Sequence, residues 1–145
     1  MKKELSAETE FTVEFYDVDS MNIVYHGNYI KYFEKARCVL LEKLGYTYIN
    51  MQNTGWMFPV TSISAKYISS FTFLDRVRAK AILTEYENCI KIKYELYNAK
   101  TGKLCTKGES TQMAIDVRTM ESCMVCPKVF VENVESLLRR ETKNG

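Results

Sequence analysis

One short stretch of the chain gathers residue types able to act on a carbonyl. Asp17 and Asp19 are followed by the only histidine, His26, then by Gly27, Asn28 and a segment of helical periodicity. A carboxylate can attack as a nucleophile or draw a proton from water. The first N–H groups of a helix lack internal partners and carry partial positive charge. Those of Tyr25, His26 and Gly27 could therefore polarise a carbonyl and hold the oxyanion that forms. His26 has two readings: a structural imidazole held by a hydrogen bond, or a group that orients water or substrate. Asp17 also has two, a solvated acid at a strand end or a like charge that raises the pKa of Asp19.

These residues need a strand to end before them and a helix to begin after them. Phe11, Val13 and Phe15 alternate with Thr12, Glu14 and Tyr16, which predicts a strand over 10–17, the residues before it forming a frayed start. From Asn28 the period changes. Tyr29, Phe33, Ala36, Leu40 and Leu44 form an apolar stripe flanked by Ile30, Arg37 and Leu41, with Gly45 as the stop. Glu34 and Arg37, three apart on this helix, are expected to pair with each other or with neighbouring strands. A short helical turn over 48–52 leads into strands over 58–68, 75–86, 90–97 and 104–117, expected as a meander, and Pro127 opens a short helix. A single antiparallel sheet must bury one face, and the helix over 28–44 is the element long and apolar enough to cover it. The fold class is therefore α+β, one domain over 1–145, with a sheet wrapped round a central helix.

Composition narrows the function classes. The hydrophobic fraction is 46% and ten residues are tyrosine, too apolar for disorder, while no apolar run reaches the ~20 residues of a membrane span. The start of the chain does not read as a secretory signal. A net charge of +2, with bases and acids interspersed, does not indicate nucleic acid. Five cysteines, an odd number, favour reduced thiols in the cytoplasm. Cys123 and Cys126 have the spacing of half a zinc site, but Cys38, Cys89 and Cys105 supply no second pair, so neither metal nor cofactor is expected.

The run from Tyr16 to Tyr29, with Tyr32-Phe33-Glu34-Lys35-Ala36-Arg37 after it, resembles the signature of the 4-hydroxybenzoyl-CoA thioesterase family. In particular it is similar to the YbgC-type acyl-CoA thioesterases, which have the hotdog fold. The resemblance lies at Asp19, Ile23-Val24-Tyr25-His26, Asn28-Tyr29 and Glu34-x-Ala36-Arg37, and extends more weakly through Phe58-Pro59-Val60 and the strand order. It selects Asp19 over Asp17 as the nucleophile or base, and implies hydrolysis of acyl-CoA or acyl-carrier-protein thioesters. It also implies a positioning role for His26, because related thioesterases carry Phe there. Two positions depart from the family. Val18 stands where Thr or Cys is usual, and Asn22 where Gly is usual. Asn tolerates positive φ next best after Gly, so the loop can keep its shape while the amide alters the substrate space. Asn22 and Asn28 are thus candidate substrate contacts. Arg76 and Arg78 alternate with Val77 along one strand, as a solvated outer face does, or they meet the phosphates of coenzyme A.

The resemblance further implies a homodimer, or a tetramer of two dimers, with two sheets joined into one and active sites between subunits. Unprotected strand edges in so small a chain point the same way. Two other functions suit a hotdog fold: an enoyl-thioester hydratase or dehydratase, and a non-catalytic acyl-thioester-binding module. The Gly-His-Phe-Pro type of motif expected of the former is absent from this sequence.

Overall fold

The structure, a computed structural model, describes residues 4–144. The elements in chain order are β1 (Leu5–Thr12), α1 (Asn28–Lys43), α2 (Tyr48–Asn53), β2 (Trp56–Met57), β3 (Val60–Tyr67), β4 (Arg76–Glu85), β5 (Ile90–Asn98), β6 (Leu104–Gln112), β7 (Ala114–Asp116), β8 (Glu121–Cys123) and α3 (Lys128–Asn144). A 3₁₀ turn, Phe15–Asp17, lies between β1 and α1. Five strands form an antiparallel sheet in the order β1-β4-β5-β6-β3, and β2, β7 and β8 form a small second sheet.

Alternation on the strands fixes which face α1 covers. Val77, Ala79, Ala81 and Leu83 of β4 and Ile92, Tyr94 and Leu96 of β5 are buried, while the residues between them carry the charges of the outer face. Tyr29, Tyr32, Phe33, Ala36 and Leu40 of α1 lie against them, all buried. The alanines on both surfaces let helix and sheet approach closely, which is the hotdog arrangement. At the tightest point the Phe33 ring stacks on Tyr94, with centroids 4.7 Å apart and an interplanar angle of 12°. The same ring lies over Gly108 of β6, where any Cβ would run into it and come within 2.9 Å of the Ser64 carbonyl oxygen. The helix ends as its sequence predicts. Gly45 has φ +68°, its N–H donates to the Glu42 carbonyl at 3.1 Å, and the Tyr46 N–H donates to the Leu41 carbonyl at 3.1 Å, a Schellman closure.

Several expectations are corrected. The first strand starts at Leu5, inside the segment expected to be frayed, because Leu5, Ala7 and Thr9 pair with Leu83, Ala81 and Ala79; Met1, Lys2 and Lys3 lie outside the described residues. It also ends earlier, at Thr12. Phe15, expected to continue the buried alternation, is 76% exposed and meets Phe73 edge-on at 5.7 Å. The four later strands are not a simple meander: segment 68–75 carries the chain from β3 across to β4, so β3 pairs with β6 at the opposite edge. The fifth expected strand breaks at Met113, whose N–H donates to the Pro59 carbonyl at 3.3 Å, and its end joins the small sheet as β7. The C-terminal helix is 17 residues, against 16 in α1, rather than short.

Gly108→Ala tests the helix seat. The glycine's neighbours are an aromatic side chain stacked in the core and a backbone carbonyl, so relief requires moving α1. The expected cost is about 1–3 kcal/mol by denaturant unfolding; an unchanged midpoint would show that α1 has slack over β6.

Candidate active site

Asp17 organises the loop before α1. It is 8% exposed and ends the 3₁₀ turn. Its Oδ2 accepts the Glu14 N–H at 3.0 Å and the Tyr32 hydroxyl of α1 at 2.9 Å. Its carbonyl accepts the Tyr25 N–H at 3.0 Å and the Asn28 side-chain amide at 2.8 Å. The expectation of a solvated acid is corrected: Asp17 is a buried, bonded junction between turn, loop and helix. Burial, together with the bond to this carboxylate, raises the Tyr32 pKa.

Asp19, two residues on, is half-buried and sits at the head of a tight turn. Its N–H donates to the Ile23 carbonyl at 2.9 Å and its own carbonyl accepts the Asn22 N–H at 3.0 Å. Val18 and Val24 form a bridge on either side, and Ile23 bridges to Thr72. Asn22 takes φ +63°, as its type allows, so the turn is held without the glycine usual in similar sequences. One carboxylate oxygen, Oδ1, accepts the Met21 N–H at 2.8 Å. The other has no hydrogen-bond donor among the described residues.

On the far side of the Val18–Val24 bridge the chain enters α1. The Asn28 N–H donates to the Tyr25 carbonyl at 2.8 Å and the Tyr29 N–H to the His26 carbonyl at 3.3 Å, extending the helical pattern backward. The expectation for the Tyr25 N–H is corrected, since Asp17 already accepts it. The N–H groups of His26 and Gly27 have no acceptor among the described residues, and they stand at the positive end of a 16-residue helix. The His26 carbonyl also accepts the Tyr67 hydroxyl at 3.1 Å, which fastens this corner to the end of β3. The exposed imidazole packs on the Tyr25 ring, centroids 4.3 Å apart, and has no hydrogen bond among the described residues.

Asp19, His26 and Gly27 are thus held on one bridged loop. Asn22 lies on its exposed turn, whereas the Asn28 amide is spent on Asp17. Arg76 and Arg78 are not brought to the loop. They project from the outer sheet face, where Arg76 pairs with Glu10 at 3.3 Å and Arg78 lies 3.9 Å from Glu8 and 4.6 Å over the Tyr97 ring. Arg37 does not pair with the exposed Glu34; it is 7% exposed and its Nε donates to the Tyr48 hydroxyl at 2.8 Å. All five cysteines are free thiols, and burial raises the Cys126 pKa to about 12. Sequence reasoning missed Tyr67 and the Asp17–Tyr32 pair. The available signal was the spacing of Tyr25, Tyr29 and Tyr32 with two acids upstream.

Removing the Asp17 carboxylate strands a buried hydroxyl and a backbone N–H. Asp17→Ala should therefore destabilise the fold by about 2–4 kcal/mol, and Tyr32→Phe by about 1–3 kcal/mol, measured by urea unfolding. The raised Tyr32 pKa sets the sign at high pH. Below pH ~10 the phenol is protonated in both states, and above it the unfolded chain ionises first, so stability falls as pH rises. An Asp17→Ala midpoint equal to wild type would remove Asp17 from this role.

Comparisons with known proteins place the family and the fold. Residues 13–134 match the family described as the thioesterase-like superfamily. The Bacillus subtilis protein YneP, an acyl-CoA thioesterase by name, is 28% identical over 111 residues, covering 76% of this chain and 80% of its own. The structure of a DHNA-CoA thioesterase from Staphylococcus aureus superposes with a TM-score of 0.82 at 27% identity, covering 97% of this chain and 95% of that one. A 1,4-dihydroxy-2-naphthoyl-CoA thioesterase from Synechocystis shares the fold at a TM-score of 0.80 and 16% identity, covering 89% and 95%. With its match spanning the loop, α1 and strands β2 to β8, the chain belongs to the thioesterase-like superfamily and has the hotdog fold.

Proposed function

We propose that the protein hydrolyses acyl-CoA thioesters, with Asp19 providing the attack and the N–H groups of His26 and Gly27 receiving the oxyanion. The observation that carries this reading is the unspent bonding capacity on one bridged loop: a free Asp19 Oδ2 and two free N–H groups at a helix N-terminus. The thioester carbonyl oxygen sits on the two N–H groups, whose partial charge favours the tetrahedral state over the ground state. Asp19 delivers the oxygen, either its own, giving an anhydride that water then opens, or that of a water it deprotonates. The C–S bond breaks, coenzyme A leaves as a thiolate needing little acid assistance, and a carboxylic acid is released. His26, exposed and stacked on Tyr25, orients water or the acyl group. The names of the Bacillus and Staphylococcus relatives support coenzyme A as the carrier. Five free thiols support a reducing compartment such as the cytoplasm.

The active form is a dimer through β3. One edge of this strand pairs with β6 and the other has no partner among the described residues. Its exposed side chains include Val60, Ile63 and Tyr67, with Ile68 just beyond, an apolar edge that invites strand pairing. The loop is fastened at the Tyr67 end. An open groove of about 500 Å³, lined by Tyr48, Met51, Trp56, Met57, Phe58 and Val117 among others, lies at the Val60 end. These ends are roughly 23 Å apart along the strand at ~3.3 Å per residue. Antiparallel pairing of two β3 strands brings the groove of one copy beside the loop of the other, completing a site that one chain leaves shallow.

Thiol release from a panel of acyl-CoAs tests the chemistry. Asp19→Asn should lower kcat on the order of 10²-fold or more with KM little changed, whereas folded His26→Phe should retain measurable turnover. Equal inactivation of the two would make His26 an obligatory catalytic group, and acyl-CoA binding by wild type without thiol release would favour a binding module. For the assembly, sedimentation should show a dimer at micromolar concentration, and Ile63→Lys should reduce both dimer and activity. A fully active monomer would overturn the shared site.

A further inference from the structure

We propose that the Tyr25 side chain is a positioning residue: seated against Gly27, its ring shields the His26 and Gly27 N–H pair from water and holds the His26 imidazole in place. This rests on the thioesterase reading above. Residue 27 is glycine for a physical reason. Its backbone has φ −64° and ψ −23°, ordinary helical values that any L-residue adopts, so conformation does not require it. Space does. A Cβ on Gly27 would lie 2.8 Å from Tyr25 Cε2 and 3.3 Å from Cδ2, closer than carbon atoms pack. The ring therefore occupies the volume that any other side chain at position 27 would need.

The backbone that carries the ring is held in place. The Tyr25 N–H is bonded to the Asp17 carbonyl at 3.0 Å and its carbonyl accepts the Asn28 N–H at 2.8 Å, so the backbone is pinned on both sides. One part of the ring meets Gly27 and another meets the imidazole at 4.3 Å between centroids, leaving the residue 49% exposed. Its hydroxyl has no hydrogen bond among the described residues, so the ring, not the polar tip, carries the role. An apolar wall beside two free N–H groups lowers the local dielectric, and a developing oxyanion is then held more strongly than in open water.

Because Gly27→Ala displaces the ring at a backbone conformation that Ala also adopts, the pair can be dissected by a double-mutant cycle. With an acyl-CoA that wild type hydrolyses, Tyr25→Ala and Gly27→Ala should each lower kcat on the order of tenfold with KM within about twofold. In the Tyr25→Ala background, Gly27→Ala should cost little more, since the clashing ring is gone. Tyr25→Phe keeps the ring and should restore most of the lost kcat. A second readout is independent of turnover: amide hydrogen exchange at His26 and Gly27 should be faster in Tyr25→Ala than in wild type. Circular dichroism establishes folding first, and if Gly27→Ala does not fold, Tyr25→Ala against Tyr25→Phe still decides. Additive losses in the cycle, a Phe variant as slow as the Ala variant, or unchanged kcat and exchange in Tyr25→Ala would each overturn the proposal. Wild type that releases no thiol from any acyl-CoA would overturn the thioesterase reading and this one with it.

Discussion

The loop that carries the candidate chemistry depends on the buried carboxylate of Asp17 and the backbone carbonyl of the same residue. Four donors converge on them: the Glu14 and Tyr25 N–H groups, the Asn28 amide and the Tyr32 hydroxyl. The first closes the 3₁₀ turn after β1, the second and third set where the chain enters α1, and the fourth ties both to the middle of the helix–sheet interface. The carboxylate resists replacement, because the Tyr32 hydroxyl and the Glu14 N–H would lose their acceptor. Asp19, only two residues away, is less buried, and its side chain has a single bond, from the Met21 N–H to Oδ1. Asp17 locks the loop, and the proposed function gives the attack to Asp19, whose Oδ2 has no donor among the described residues.

Those two roles were not separable from sequence. Both are aspartates at the end of an apolar alternation, and only the resemblance distinguished them. The reading of Asp17 as solvated failed because its partner Tyr32 is fifteen residues on and off the main apolar stripe as it was drawn. What was legible rests on local physics. The α1 stripe, its Gly45 stop, the alternation of β4 and β5 and the positive φ of Asn22 are each set by residues within a few positions of one another. What was not legible is non-local. The crossing of β3 to the β6 edge, the break at Met113 and the second small sheet depend on pairings between distant segments that no periodicity in either segment encodes.

The outer face of the sheet shows how far an alternation argument reaches. It placed Arg76 and Arg78 on one side of β4 correctly but could not say what faces them. The register puts Glu10 opposite Arg78 and Thr12 opposite Arg76, and the ion pairs run diagonally across it, from Arg76 to Glu10 at 3.3 Å and from Arg78 to Glu8 at 3.9 Å. Exposed pairs of this kind contribute little to stability. They do not satisfy every group on this face, since Arg78 Nε is buried without a hydrogen-bond partner.

The unusual tyrosine content finds its reason in the boundary between core and loops. Tyr29, Tyr32, Tyr46 and Tyr94 bury their rings, and each hydroxyl meets a polar group: the Phe71 N–H, the Asp17 carboxylate, the Thr54 hydroxyl and the Ser110 hydroxyl. Tyr48 and Tyr67 do the same from more exposed positions, toward Arg37 Nε and the His26 carbonyl. Phenylalanine could fill the same volume but would strand those partners, and serine could satisfy them but would leave the core empty. A phenol does both because its apolar body is long enough to cross from the sheet to the loops. At the site loop this falls to Tyr32 and Tyr67, whose hydroxyls meet the Asp17 carboxylate and the His26 carbonyl, so the packing of Tyr32 in α1 and the geometry of the loop are linked through one residue.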